Sequence, residues 1–93
     1  MKAIWKDCVI AQSNDTLLVE GNHYFPINSL NLNLINISNN TSFCPWKGTA
    51  NYYDLIVNGE VNEAAAWFYP EPKEKAKQIL DHVAFWKGVE IIQ

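Results

Sequence analysis

A chain of 93 residues is long enough for one modest hydrophobic core, so we expect a single domain over residues 1–93. Its 48% hydrophobic and 13% aromatic content is typical of a globular protein and excludes a disordered chain. The net charge of −3 and the pI of about 5.2 provide no broad basic surface, which argues against nucleic acid as a partner.

The first part of the chain has the pattern of two hairpins. Residues 3–10 alternate weakly around Lys6 and Asp7, which predicts two short strands joined by a tight turn. Residues 16–20 are β-branched and apolar, and Gly21 with Asn22 supplies a turn that tolerates positive φ before the strand pattern resumes. Pro26 ends this second hairpin.

Residues 28–42 form an Asn-rich segment with the least regular pattern in the chain. Leu30, Leu32 and Leu34 alternate with Asn, which permits a short strand, but the Asn content equally favours a folded loop. Residues 39–42 are predicted to be a loop.

A third hairpin follows the Pro45–Trp46 pair. Residues 49–57 have strand composition, and Asn58 with Gly59 is the strongest short hairpin signal in the sequence. Residues 60–69 are predicted to return along the first strand, with a bulge or a helical turn over residues 63–66.

The C-terminal part contains one predicted helix, over residues 72–81. Pro72 suits its first turn, and Ala76, Ile79, Leu80 and Val83 recur at helical spacing. Phe85 to Ile91 then predict a last strand around Gly88.

These elements define a mainly β protein of the α+β class. Several antiparallel hairpins precede one helix near the C-terminus. Because a small antiparallel sheet must hide its edges, we expect a curled sheet or a partial barrel.

Localisation follows from two absences in the sequence. No apolar run approaches the roughly 20 residues that a membrane span needs. The N-terminal "MKAIWKDC" lacks the apolar stretch of a signal peptide. We therefore expect a cytoplasmic protein without membrane contact, whose two cysteines, Cys8 and Cys44, are reduced.

A metal site is not indicated. Cys8, His23, Cys44 and His82 are the available soft ligands, but no two are close in sequence, whereas structural zinc sites take ligands in closely spaced pairs. We expect no disulfide, no metal and no cofactor.

Nucleophilic catalysis is an open alternative. Cys44 would be the nucleophile, Lys47 would lower the pKa of its thiol, and His23 would be the base, oriented by Glu20. The alternative for Cys44 is a buried thiol that behaves as a small hydrophobic side chain.

Phosphate chemistry is not supported, because none of the four glycines lies in a Gly-rich loop before a helix and the aspartates are scattered.

Aromatic residues are concentrated on the predicted hairpin strands. Alternation places Tyr52 and Tyr53 on opposite faces, and it places Trp67 and Tyr69 on one face with Phe68 on the other. Aromatic pockets with a few polar groups are a usual form of small-ligand site. The alternative is that these rings form the core.

Four segments resemble a known family. They are "VEGNHYFP" (residues 19–26), "CPWKGTANYY" (44–53), "AWFYPEP" (66–72) and "HVAFWKGVE" (82–90), and in this order they resemble the domain of unknown function 427 family over nearly the whole chain. The resemblance implies a compact domain similar to the β-tent group, which includes zinc-binding domains and B-type methionine sulfoxide reductases. The sequence lacks their paired cysteines, so neither zinc nor that redox chemistry is carried over. A nucleotidyltransferase label attached to the family finds no supporting motif here.

The resemblance supplies no established activity, so three functions remain. The first is a small-ligand or peptide-binding domain with an aromatic-lined cleft, the second is an enzyme acting through Cys44, His23 and Lys47, and the third is an interaction module that meets a partner or a second copy of itself. In the expected site the Trp46 side chain is packed, and Lys47 is an exposed polar side chain that a ligand can reach. The ligand-binding candidates are Glu20, His23, Tyr24, Trp46, Lys47, Tyr52, Tyr53, Trp67 and Tyr69. Together with Cys44, we expect the polar members of this set to share one concave surface.

Overall fold

The computed structural model describes residues Met1–Gln93 and is built from nine antiparallel strands. They are β1 (Lys2–Trp5), β2 (Cys8–Gln12), β3 (Leu17–Val19), β4 (Asn22–Pro26), β5 (Ile35–Cys44), β6 (Gly48–Val57), β7 (Glu60–Phe68), β8 (His82–Phe85) and β9 (Glu90–Ile92). Three short 3₁₀ helices cover Ile27–Ser29, Leu32–Leu34 and Glu74–Ile79. The predicted mainly β, antiparallel architecture is confirmed.

The strands form two open sheets. A three-stranded sheet has the order β2-β1-β9, and a six-stranded sheet has the order β3-β4-β8-β7-β6-β5. Neither closes into a barrel. None of the helices is both long and apolar enough to cross a membrane.

Three tight turns confirm the predicted hairpins. Two-residue turns with both φ values positive join β1 to β2 at Lys6–Asp7, β3 to β4 at Glu20–Gly21, and β6 to β7 at Asn58–Gly59. The twist of such turns matches the twist of the flanking strands. Asn-Gly favours them because both residues accept a positive φ. The second turn lies one residue earlier than the sequence indicates, so Glu20 adopts a φ of 51° that side chains other than Asn and Gly rarely take.

The predicted irregularity in β7 is a β-bulge. Ala64 has a φ of 53°, and the β6–β7 register shifts between Tyr53 and Leu55. The backbone N–H of Ala64 donates instead to Asp54 Oδ1 at 2.8 Å, so the bulge does not leave this donor unpaired.

The Asn-rich segment differs from its prediction. Residues 39–42 are not a loop but part of β5, which pairs with β6 from Ile35 to Cys44. Three residues, 38–40, lie opposite the single residue Tyr52, so the strand carries a bulge. Most of the side chains of β5 are exposed, and polar Asn and Ser are tolerated there because the backbone pairing with β6 supplies the stabilisation.

The predicted helix near the C-terminus is present, but the expected range of residues 72–81 and the regular helical spacing are wrong. The helix is 3₁₀, covers Glu74–Ile79, and is broken at Ala76, where φ is −115° and ψ is 16°. It buries Ala76 and Ile79, and a spacing of three residues brings the two onto one side of a 3₁₀ turn. The chain then enters β8 through Asp81, whose φ is 61°.

The last predicted strand is divided in two. β8 belongs to the large sheet and β9 to the small one, and Gly88 lies in the turn between them with a φ of 87°. The division lets the C-terminal segment connect the two sheets.

The core has two parts, one on each face of the large sheet. The larger part lies between the sheets and includes Phe25, Leu55 and Val83 from the large sheet with Ala3 and Ile10 from the small one. Full burial of a side chain such as Leu55 contributes about 1.5–3 kcal/mol. The smaller part is rich in aromatic rings and lies under the Glu74–Ile79 helix, with Tyr24 and Tyr69 among its members.

Candidate functional site

Lys47 is buried, whereas the sequence predicts an exposed polar side chain. Only 8% of Lys47 is accessible, while Trp46, which is predicted to pack, is 37% exposed. The cause is the backbone of the β5–β6 turn. Gly48 has a φ of 110° and lies so close to the next segment that a Cβ there would be 3.2 Å from the carbonyl oxygen of Glu71. The carbonyl of Lys47 also accepts a hydrogen bond from the N–H of Lys73 at 2.9 Å, which fixes the turn and directs the Lys47 side chain inward.

The Lys47 ammonium is paired with Glu20. Lys47 Nζ donates to Glu20 Oε1, and it also lies 4.9 Å from the ring centre of Trp46 and 5.8 Å from that of Tyr69. The hydrogen bond from Lys47 lowers the pKa of the Glu20 carboxyl, against the effect of desolvation and with a smaller contribution from the Trp46 side chain. Burial acts to lower the pKa of Lys47, but the hydrogen bond to Glu20 and the negative charges that Tyr24, Glu20 and Cys44 carry when ionised outweigh it and raise that pKa. Lys47 is therefore a protonated donor at neutral pH.

Tyr24, Trp67 and Trp86 form a chain of edge-to-face contacts. The ring centres of Tyr24 and Trp67 are 6.2 Å apart at 88°, and those of Trp67 and Trp86 are 5.9 Å apart at 82°. Trp67 Nε1 donates to the Tyr24 hydroxyl at 3.1 Å, and Trp86 Nε1 donates to the carbonyl oxygen of Ala64 at 2.6 Å. Both indole donors are thus used within the protein.

Trp67 and Trp86 border a small depression of about 160 Å³ next to Lys47. Its lining is one ammonium and four aromatic side chains: Lys47, Tyr52, Trp67, Tyr69 and Trp86. Burial raises the pKa of the Tyr24 and Tyr69 hydroxyls, so both phenols are neutral at physiological pH. We call this depression the Lys47 cleft.

Tyr52 and Tyr53 lie on opposite faces of β6. Tyr52 lines the Lys47 cleft, and its hydroxyl shares a 2.7 Å hydrogen bond with Ser42 Oγ. Tyr53 packs against the larger core part and stacks on Phe68 with ring centres 4.6 Å apart. Trp67 and Tyr69 likewise pack in the aromatic part, opposite Phe68. The alternation of these side chains follows the sequence pattern.

His23 is not among the residues that line the Lys47 cleft. His23 adjoins Tyr24 in β4, and Tyr24 points into the aromatic part of the core, so strand alternation directs the imidazole to the other face. Cys44 packs, partly buried, against the aromatic part, and it is a free thiol, as is Cys8. His23 therefore lies on the other face of β4 from the aromatic part against which Cys44 packs. A catalytic role for Cys44, His23 and Lys47 remains a prediction.

Trp86 is the member of the cleft that sequence reasoning missed. A signal for it exists, because Trp86-Lys87-Gly88 repeats the tripeptide Trp46-Lys47-Gly48. In both copies the ammonium lies over the neighbouring indole, at 4.9 Å for Lys47 and 5.2 Å for Lys87. The repeat alone does not indicate a shared site, because its two copies are far apart in sequence and only the fold brings Lys47 and Trp86 to one depression.

The molecule has three larger depressions, one of which shares Tyr69 with the Lys47 cleft. Their volumes are about 270, 330 and 450 Å³, and none of them has a buried charged side chain in its lining. The smaller Lys47 cleft differs from them in having a buried charge among aromatic rings, an arrangement that is rare in proteins and is concentrated at functional sites. No group of three or more His, Cys, Asp and Glu side chains is arranged to hold a metal ion.

Comparison with known proteins gives a family but no function. The sequence model of the family described as a domain of unknown function (DUF427) matches residues 1–92, which confirms the resemblance drawn from the sequence motifs. No curated protein matches the sequence.

Proposed function

We propose that this chain, which belongs to the DUF427 family, binds a small planar ligand with an anionic or carbonyl acceptor group in the Lys47 cleft. The observation that carries the proposal is the buried Lys47 ammonium in a depression otherwise lined by aromatic rings. Such a site combines apolar contact area with one polar group that fixes orientation.

The charge state of Lys47 sets the ligand's polarity. An ammonium has three N–H donors and no acceptor, and Glu20 takes one of them. Because its pKa is raised, Lys47 acts as a donor of hydrogen bonds and positive charge, not as a nucleophilic amine. An acceptor on the ligand, ideally a carboxylate, is the matching group.

The aromatic walls determine the rest of the ligand. Both indole N–H groups are already bonded, to Tyr24 and to Ala64, so the walls offer mainly ring faces and edges. A flat ring stacks on such surfaces favourably. A cationic ligand is disfavoured, because the Lys47 ammonium already occupies the attractive region of the Tyr69 ring and would repel a second positive charge.

The size of the cleft limits the ligand to one small ring system. Its volume of about 160 Å³ is below the roughly 300–1,000 Å³ of sites that enclose drug-sized molecules. A peptide fits the same description only where it presents one flat side chain and an acceptor.

The test is a titration with three single-ring probes: benzoate, neutral benzamide and cationic benzyltrimethylammonium. We expect benzoate to bind most tightly by isothermal titration and to change the fluorescence of Trp67 and Trp86. Lys47→Met should abolish the preference for benzoate over benzamide while preserving most of the side-chain volume. Lys6→Met is the matched control, since Lys6 also contacts a tryptophan, Trp5, at 5.7 Å and a glutamate, Glu60, at 3.7 Å, but on the exposed surface.

Two results would contradict the proposal. One is a wild-type protein that binds none of the three probes at millimolar concentration or prefers the cation. The other is a Lys47→Met variant that keeps the full preference for benzoate.

A further inference from the structure

Residues 21–46 contain no charged side chain, although the chain has 7 basic and 10 acidic residues in all. This uncharged segment includes β4, two 3₁₀ helices and β5. Within it, β5 is mostly exposed, and an exposed strand of this length without charge is unusual for a small acidic protein, because charges keep such proteins soluble and monomeric. The composition therefore points to a covered surface.

The segment ends in a long, open sheet edge. β5 is the outermost strand of the six-stranded sheet and spans ten residues, whereas the opposite edge is the three-residue strand β3. Proteins usually protect a long edge with Lys, Pro or inward-pointing charges. β5 has none of these, and the bulge at residues 38–40 interrupts only its middle.

The three most exposed large apolar side chains of the molecule lie in this segment. Ile37 is 81% exposed, Leu32 68% and Phe43 66%. Beside the edge lies a shallow groove of about 450 Å³, lined by Leu32, Ile35, Asn36, Ile37 and Tyr53. Four of these five residues are hydrophobic.

We propose that two copies of the chain form an isologous dimer through this groove and the Ile35–Ile37 part of the β5 edge. A two-fold axis makes such strands antiparallel, so the backbone groups of one edge pair with those of the other and the two six-stranded sheets join. Ile37 of each copy then packs into the groove of its partner.

The absence of charge identifies a second copy as the occupant. In an isologous contact each residue meets the same surface again, so any charge near the axis faces a like charge. An uncharged surface avoids this repulsion. A different protein would usually be recognised through complementary charges, and this surface offers none.

The dimer surface and the Lys47 cleft are separate. Tyr53 lines the groove and Tyr52 lines the cleft, and these consecutive strand residues point to opposite faces of the sheet. Dimerisation and ligand binding can therefore fail independently, and each has its own experiment.

The experiment is sedimentation equilibrium of the wild type from micromolar to millimolar concentration. We expect the mass to rise from that of the 10.6 kDa chain to about twice that value. Ile37→Lys should keep the protein monomeric, because it places like charges at the two-fold axis and is unfavourable on a sheet edge that must pair. The matched control is Leu18→Lys, since Leu18 is 64% exposed on the opposite edge strand, and this variant should dimerise like the wild type.

A second measurement uses only the wild type. Backbone amides of residues 35–37 should exchange with solvent more slowly at high protein concentration, while those of β3 remain unchanged. The proposal is overturned if the wild type is monomeric at millimolar concentration, if Ile37→Lys dimerises normally, or if Leu18→Lys disrupts the dimer equally.

Discussion

Lys47 and Glu20 are joined across 27 positions of sequence, and the residue that provides the carboxylate occupies a backbone conformation in which glutamate is rare. Glu20 is the first residue of the β3–β4 turn, with a φ of 51°. Asn or Gly would fit that position with less strain. The ion pair with Lys47 gives a physical reason for glutamate at this position, since no other acidic side chain is paired with this ammonium.

The pair should make stability depend on pH in the acid range. The pKa of Glu20 is lower in the folded protein than its ordinary value of 4.5, so its stabilisation is complete above that pH and is lost as the pH falls through the folded pKa. We expect Glu20→Gln to melt at a lower temperature than the wild type at about pH 6, with the difference shrinking towards about pH 3. Thermal melts of both proteins over this range are the measurement. A difference that stays constant with pH would contradict the ion pair.

The burial of the Lys47 side chain should affect the stability of variants that shorten it. Its methylene stem is enclosed, so Lys47→Ala loses packing that Lys47→Met largely retains. We expect Lys47→Ala to be less stable than Lys47→Met by about 1–2 kcal/mol in urea unfolding. Lys75→Ala and Lys75→Met provide the control pair, because Lys75 is exposed and the two should be equal. Equal stabilities for the two Lys47 variants would mean that the stem is not packed.

The contact between Tyr24 and Trp67 should appear as a coupling energy. Tyr24→Phe leaves the Trp67 indole N–H without its acceptor, and Trp67→Phe leaves the fully buried Tyr24 hydroxyl without its donor. Each single change should cost about 1–3 kcal/mol, and the double variant should cost less than their sum by about 1 kcal/mol. The measurement is a double-mutant cycle, in which chemical denaturation gives the stability of the wild type, the two single variants and the double variant. Strict additivity would show that the hydrogen bond contributes nothing.

A side chain at Gly48 should destabilise the protein more than one at Gly59. Gly48→Ala would place a Cβ 3.2 Å from the carbonyl oxygen of Glu71 at a φ of 110°, so it combines backbone strain with crowding. Gly59→Ala has a φ of 79° and open space around it, so it carries only the strain. We expect Gly59→Ala to cost about 1 kcal/mol and Gly48→Ala clearly more. Melting temperatures in the reverse order would indicate that the β5–β6 turn is less closely packed than described.

The sequence was most informative where the interactions are local. The turn at Asn58–Gly59 follows from residues that accept positive φ, and the turn at Lys6–Asp7 and the faces of Trp67 and Phe68 follow from strand alternation. Both depend on neighbours in the chain. They therefore require no knowledge of the tertiary fold.

Long-range contacts determined what the sequence did not predict. Lysine is usually exposed, and Lys47 is buried only because Glu20 and the β5–β6 turn enclose it. The Asn-rich part of β5 has the composition of a loop and is a strand because β6 pairs with it. Neighbouring residues do not specify the partner in either case.

The pairing of β4 with β8 has a consequence for biosynthesis. Phe25 lies opposite Val83, so the first hairpin of the large sheet has no partner strand until β8, more than fifty residues later, has been made. The β5–β7 meander can fold from local contacts before then, but the sheet is completed only when β8 inserts between β7 and β4. Until that moment the inner edge of β4 and the apolar side chains of the early hairpin remain accessible on the ribosome. This interval is the stage at which a nascent chain of this topology most needs a chaperone.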